Sequence, residues 1–271
     1  MYPYPVLFGM TLYEWMIVLG FVLAVATYRA LADRKGYEPA LENLTILGGT
    51  FGIAIGYYAA VLVQAFYNYL ESGAFDLSKS TGATFLGGLM GGAVVFFSIY
   101  FGIGALVYRG KENLTLRKLR ENVDIAITCV VVAHACGRLG CLFAGCCHGA
   151  VVDGFPGLWN ESLSAYTIPI PLYEALFLLS LYLWMGLRVL RGKRYQMVIY
   201  LAAYGTWRFF IEFFRADDRG ETIVSALSPS QLTSLIMLLL AAILFALQRR
   251  ADKAAVSPDA PTEPGAQERL P

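Results

Sequence analysis

About seven stretches of this chain stay apolar for the roughly 17–25 residues that a helix needs to cross a bilayer. They lie near 11–31, 45–67, 83–107, 123–145, 170–188, 196–214 and 229–247. In hydrocarbon no water satisfies backbone N–H and C=O groups, so each stretch must fold as a helix that pairs them internally. The expected fold is an all-α integral membrane protein of about seven transmembrane helices. Composition agrees, since 15% of the residues are charged against about 25% in average soluble domains. A net charge of +1 offers no basic surface to a phosphate backbone and argues against nucleic acid as a partner. The opening segment MYPYPVLFGMTLYEW lacks a positive n-region and a small-x-small cleavage site, so the first stretch is expected to remain as a span. Residues 1–250 form the expected membrane domain. Residues 251–271 are rich in Pro, Ala and charge and read as a disordered cytoplasmic tail.

Loop charges orient these spans. One set of loops carries Arg29, Arg34 and Lys35; Arg109, Lys111, Arg117, Lys118 and Arg120; Arg188, Arg191, Lys193 and Arg194; and Arg249, Arg250 and Lys253. The alternate set carries only Lys79, Arg215 and Arg219. Fifteen against three places the N-terminus outside and the C-terminus in the cytoplasm by the positive-inside rule. In that frame Arg138 and Arg208 lie in the outer halves of their spans. The GGLMGG run (Gly87–Gly92), the Pro171-Leu172-Tyr173-Glu174 segment and Gln231 enter theirs from the same side. The polar intramembrane groups are therefore expected to converge on the outer half of the bilayer.

Charged side chains in a span cost several kcal/mol unless paired or hydrated, so their presence points to function. In GTWRFFIEFFR, Arg208, Glu212 and Arg215 recur at i, i+4 and i+7, which puts them on one face of a continuous helix. One carboxylate cannot neutralise two guanidiniums, so an external anion is expected to complete the balance. Arginine suits phosphate, which its planar fork of donors can grip. The alternative is a structural ion pair with Arg215 snorkelling to the interface. Tyr204, one turn before Arg208, adds a donor to the same face.

HACGRLGCLFAGCCHGA (His134–Ala150) carries a second set. His134, Arg138 and Cys141 fall at i, i+4 and i+7, while Gly137 and Gly140 permit close approach of a helix or a ligand. The glycines admit a plain packing role; Arg138 does not. Cys136, Cys141, Cys146, Cys147 and His148 are spaced C-x4-C-x4-C-C-H, without the C-x2-C knuckles of structural zinc sites. Apolar filler or a disulfide is the expected role, and no metal or cofactor is expected. GGLMGG offers either backbone N–H groups to a ligand or a small-residue packing face.

Taken together, these segments resemble the bacterial prolipoprotein diacylglyceryl transferases. The resemblance runs from about residue 10 to 247 and rests on GGLMGG, Asp124, GRLG (Gly137–Gly140), PLYEA (Pro171–Ala175), YGTWRFFIEFFRADD (Tyr204–Asp218) and SPSQLTSLIM (Ser228–Met237). It implies an enzyme of the bacterial inner membrane that moves the diacylglyceryl group of phosphatidylglycerol onto the lipobox cysteine of a prolipoprotein signal peptide, releasing glycerol 1-phosphate. Arg138 and Arg208 would hold the phosphate, Glu212 would orient Arg208, and Arg215 would lie at the outer mouth. Gly87, Gly88, Gly137, Gly140, Cys141, Tyr173, Glu174 and Tyr204 would line the substrate site. The chain departs from the family pattern at Leu86, where the family has His, and at Cys141, Ala144 and Cys146, where it has Asn, Asn and Glu. His134, one turn from Arg138, is the remaining histidine placed to act as a base. A homologue with the same lipid donor and another acceptor, or a non-catalytic lipid-binding protein, are the alternatives.

Overall fold

The computed structural model describes residues 1–73, 75, 77, 84–216 and 227–256. Lys79, Arg219 and residues 257–271, on which part of the orientation and tail expectations rests, lie outside the described residues. A short hairpin, β1 (Pro5–Leu7) and β2 (Met10–Thr11), leads into α1 (Leu12–Arg34). The helix starts on a reciprocal cap: the Thr11 N–H donates to Glu14 Oε2 at 2.7 Å, and the Glu14 N–H donates to Thr11 Oγ1 at 3.4 Å, using donors the first turn leaves unpaired. Then come α2 (Pro39–Ser72), α3 (Phe85–Phe97), a π-helical segment (Ser98–Ile103), α4 (Gly104–Val107), α5 (Leu114–Arg117) and α6 (Leu119–Ala144). After strands β3 (Val151–Val152), β4 (Leu158–Asn160) and β5 (Ala165–Thr167) follow α7 (Ile170–Leu190), α8 (Gln196–Ile211) and α9 (Pro229–Val256).

Six helices among the described residues are long and apolar enough to cross a membrane. The seventh expected stretch, 196–214, is shorter as a helix: α8 has 16 residues and tightens at Glu212–Phe214 into a 3₁₀ turn. The last helix runs to Val256, into the segment expected to be disordered, because ADKAAV contains no helix breaker. The antiparallel sheet, in the order β3-β5-β4, is an addition to the expected all-α architecture. Its strands of two or three residues are too short to register as a period-two pattern.

The chain forms two compact units, residues 23–126 and residues 1–22 with 127–271. In the first, α2 and α3 cross at backbone distance. A Cβ on Gly56 would lie 2.8 Å from the Gly88 carbonyl oxygen, one on Gly92 2.9 Å from that of Gly52, and one on Gly87 2.8 Å from Val63. Small residues on both helices are what allows this approach. Gly87 and Gly88, expected at a substrate site, face α2 within this unit. Below them Tyr28 donates to Asn122 Oδ1 at 2.5 Å, and Asn122 Nδ2 donates to Thr45 Oγ1 at 2.9 Å, so the buried amide is satisfied on both sides.

In the second unit α6, α7 and α8 enclose a core of Ile127, Val131, Ala135, Leu178, Leu181, Met185 and Tyr204. Trp207 stacks on Phe177 with ring centroids 4.4 Å apart. Gly205 lets α9 approach α8, since a Cβ there would meet Ser234 O and Met237 Cβ at 3.3 Å. The first turns of α1 lie on α6, where Gly20 faces Cys136 and Gly140 faces Tyr13. Helix α9 opens with a second reciprocal cap: the Gln231 N–H donates to Ser228 Oγ at 3.2 Å, and the Ser228 N–H donates to Gln231 Oε1 at 3.0 Å.

Gly56→Leu is expected to destabilise the protein by about 1–3 kcal/mol or more, because backbone faces the new side chain and cannot step aside. Gly49→Ala, with open space around its Cβ, should leave stability equal or higher. Thermal unfolding in detergent checks both; an unchanged midpoint for Gly56→Leu contradicts the packing role.

Candidate functional site

Glu174 sits in the first turns of α7 with no solvent exposure. An isolated carboxylate is costly to bury, so it must be paired. Three guanidiniums from separate segments do this. Arg138 Nη1 of α6 lies 3.5 Å from Glu174 Oε2, Arg208 Nη1 of α8 lies 3.8 Å from Oε1, and Arg215 Nη1 lies 3.6 Å from Oε2. Glu212 is the second anion: its Oε2 is 2.7 Å from Arg208 Nη2 and 3.8 Å from Arg215 Nε.

Hydroxyls complete the frame. Arg138 Nη2 donates to Tyr204 Oη at 2.8 Å, and the Tyr204 hydroxyl lies 3.5 Å from Glu174 Oε1. Arg208 Nη2 donates to Ser230 Oγ at 2.6 Å, and Ser228 Oγ donates to Glu212 Oε1 at 2.8 Å. Among the described residues, three cations against two carboxylates leave a surplus of one positive charge in the cluster. Arg138 Nε and Arg208 Nη1 are buried and make no hydrogen bond among the described residues. Donors so placed can donate to the oxygens of an anion.

The structure corrects the way Arg215 arrives. The i, i+4, i+7 face does not persist, because α8 stops at Ile211 and Arg215 takes an extended conformation after the 3₁₀ turn. Arg215 forms an antiparallel bridge with Gly149, and the Ala216 N–H donates to the His148 carbonyl at 3.4 Å. A Cβ on Gly149 would come 2.7 Å from the Phe214 carbonyl oxygen, so only glycine fits there. Nor does Arg215 snorkel, for its side chain is 2% exposed.

Of the other expected residues, Tyr204, Arg138, Arg208 and Glu212 meet in this cluster. Cys141 continues the Arg138 face, since α6 persists to Ala144. His134 Nδ1 lies 3.1 Å from Tyr200 Oη, and its ring packs edge-on against Tyr204 at 4.6 Å between centroids; it reaches Arg138 through Tyr204. Gly137 has open space where a Cβ would be, while Gly140 is filled by Tyr13. Tyr173 lines an apolar groove of about 520 Å³ with Ile170, Phe177, Trp207, Ile211 and Phe214, next in sequence to Glu174 and close to Glu212. Ser228, Ser230 and Tyr200 were not singled out by sequence reasoning. The Ser-Pro-Ser-Gln start of the last span carries a capping-box signal that marks the first of these.

The cysteines form no disulfide among the described residues, so of the two expected roles the disulfide is not made. Instead the Cys141, Cys146 and Cys147 sulfurs lie within 4.8 Å of one another. The Cys146 thiol donates to the Cys141 carbonyl at 3.6 Å, and the neighbouring Cys141 and Cys146 thiols, then Arg215, hold the Cys147 thiol below the usual cysteine range.

Comparison with known proteins places this architecture. The family model for prolipoprotein diacylglyceryl transferase matches residues 5–247. The chain is similar to the phosphatidylglycerol–prolipoprotein diacylglyceryl transferase of Clostridium tetani, 30% identical over 254 residues that cover 90% of this chain and 96% of the relative. A second protein of that name, from Clostridium perfringens, is 28% identical over 254 residues, covering 90% and 93%. One from Dehalococcoides mccartyi is 26% identical over 254 residues, covering 90% and 91%. The chain belongs to the prolipoprotein diacylglyceryl transferase family, a family of transferases, as the sequence resemblance implies.

Removing the central anion should strand three buried cations. Glu174→Ala is expected to cost about 3–5 kcal/mol of stability, read as a large fall in the thermal midpoint in detergent. A midpoint equal to the parent protein's would show that the arginines do not need this carboxylate.

Proposed function

We propose that this chain, as a member of that family, transfers the diacylglyceryl group of phosphatidylglycerol to the lipobox cysteine of prolipoproteins and releases glycerol 1-phosphate. The observation that carries the reading is the surplus positive charge of the Arg138–Arg208–Arg215 cluster around Glu174 and Glu212, set beside an apolar groove. A phosphodiester headgroup supplies the one negative charge the cluster lacks. The groove along Tyr173, Phe177, Trp207 and Phe214 suits an acyl chain. The excess of Lys and Arg in alternate loops supports an N-out, C-in bundle in the bacterial inner membrane, with the site in the outer half.

In this reading a cysteine sulfur attacks the sn-3 carbon of the lipid. A C–S bond forms as the C–O bond to phosphate breaks, and the bonding pair leaves on the phosphate oxygen. The thiol proton is balanced by the phosphate monoester that departs. Arg138 and Arg208 act where charge grows on the leaving group, which is where fixed donors lower a barrier most. Both are held in place before the lipid arrives, Arg138 by Tyr204 and Arg208 by Ser230 and Glu212. His134 contributes as a positioning residue: it braces the Tyr204 ring, and Tyr204 holds Arg138.

The test supplies labelled phosphatidylglycerol and a lipobox peptide and looks for a thioether product with released glycerol phosphate. Arg138→Gln and Arg208→Gln should each lower the rate about 100- to 1,000-fold. Binding without turnover favours a lipid-binding protein, and turnover without peptide labelling favours another acceptor. His134→Phe, which keeps a ring against Tyr204, should retain more activity than His134→Ala. Equal abolition by both would mark His134 as the proton acceptor instead.

A further inference from the structure

Where α6 ends, the chain reverses so that three thiols from a seven-residue segment face one another. Gly145 takes φ +74° and Cys147 φ +62°. The left-handed region is uncommon for a residue with a Cβ, and such outliers persist where the surroundings impose them. Here the imposing contacts are visible. Asn160 is buried and donates from Nδ2 to the Gly145 carbonyl at 2.8 Å, and a Cβ at Gly145 would meet Asn160 Oδ1 at 2.7 Å. The turn is therefore clamped to β4, and its outcome is that the Cys141, Cys146 and Cys147 sulfurs lie within 4.8 Å of one another.

Three mutually close sulfurs are more than a disulfide requires, since any pair would leave the third unused. Adjacent residues Cys146 and Cys147 are also a poor pair for one. Metal–sulfur bonds of about 2.3 Å place sulfurs about 3.8 Å apart around a tetrahedral ion, so a small closing rotation of the side chains is enough. The donor set is sulfur alone, which selects soft cations over magnesium or calcium.

We infer that Cys141, Cys146 and Cys147 form a binding site for a soft, thiophilic metal cation of the zinc(II) class, with its fourth position left to solvent or a ligand. Binding releases the thiol protons and involves no change of oxidation state. The inference goes beyond the transferase reading, and its failure would leave that reading intact.

The test uses the full-length protein in detergent, reduced, stripped with a chelator and then loaded with zinc or cobalt(II). One zinc per chain should survive desalting, and cobalt should give a sulfur-to-metal charge-transfer band. Cys141→Ser, Cys146→Ser and Cys147→Ser should each lower zinc affinity at least about tenfold. Zinc should also shield these three thiols of the unmodified protein from alkylation, a measurement that does not depend on how the variants fold. Absence of retained zinc, a cobalt spectrum without sulfur charge transfer, or alkylation of the three thiols unchanged by zinc would each overturn the site.

Discussion

In the second unit three arginines are organised around one buried carboxylate. Glu174 has no exposed surface, yet guanidiniums from α6, from α8 and from the segment after α8 all turn toward it. Without that anion, among the described residues only Glu212 would face the three cations. With it they are held at fixed places, and their summed charge still exceeds that of the carboxylates. A site of this kind is stable only in part by itself. Its remaining imbalance is what the proposed headgroup would satisfy.

The rest of the unit serves this arrangement. The Ile127–Met185 core fixes α6 against α7, so Arg138 and Glu174 meet at one level. Reciprocal capping at Ser228 and Gln231 starts α9 where Ser230 can hold Arg208. Gly149, which no larger residue can replace, brings the extended segment carrying Arg215 alongside. Substitution at such positions should act on the arginines without touching a substrate.

The spans were legible because apolar length is written continuously in the sequence, and the Arg208–Glu212 pair was legible because it lies at i, i+4 where the helical path still holds. Arg215 was misplaced for a reason of the same kind: its pairing with Gly149 is long-range, and no local period records it. Glu174 was read among candidate substrate contacts, but its part as common counter-ion needs three segments at once. The glycines of GGLMGG left two readings open until their neighbours on α2 were known. The cysteine cluster escaped a spacing rule because the reversal at Gly145 and Cys147, rather than a knuckle, brings its sulfurs together.

The central claim is that the arginines around Glu174 grip an anionic lipid headgroup. Native mass spectrometry of the purified protein, given equimolar phosphatidylglycerol and phosphatidylcholine, tests it without requiring turnover. The account predicts a preference for phosphatidylglycerol of about tenfold or more, equivalent to about 1.4 kcal/mol, that Arg208→Gln removes. Equal retention of the two lipids, or a preference that survives Arg208→Gln, would contradict it.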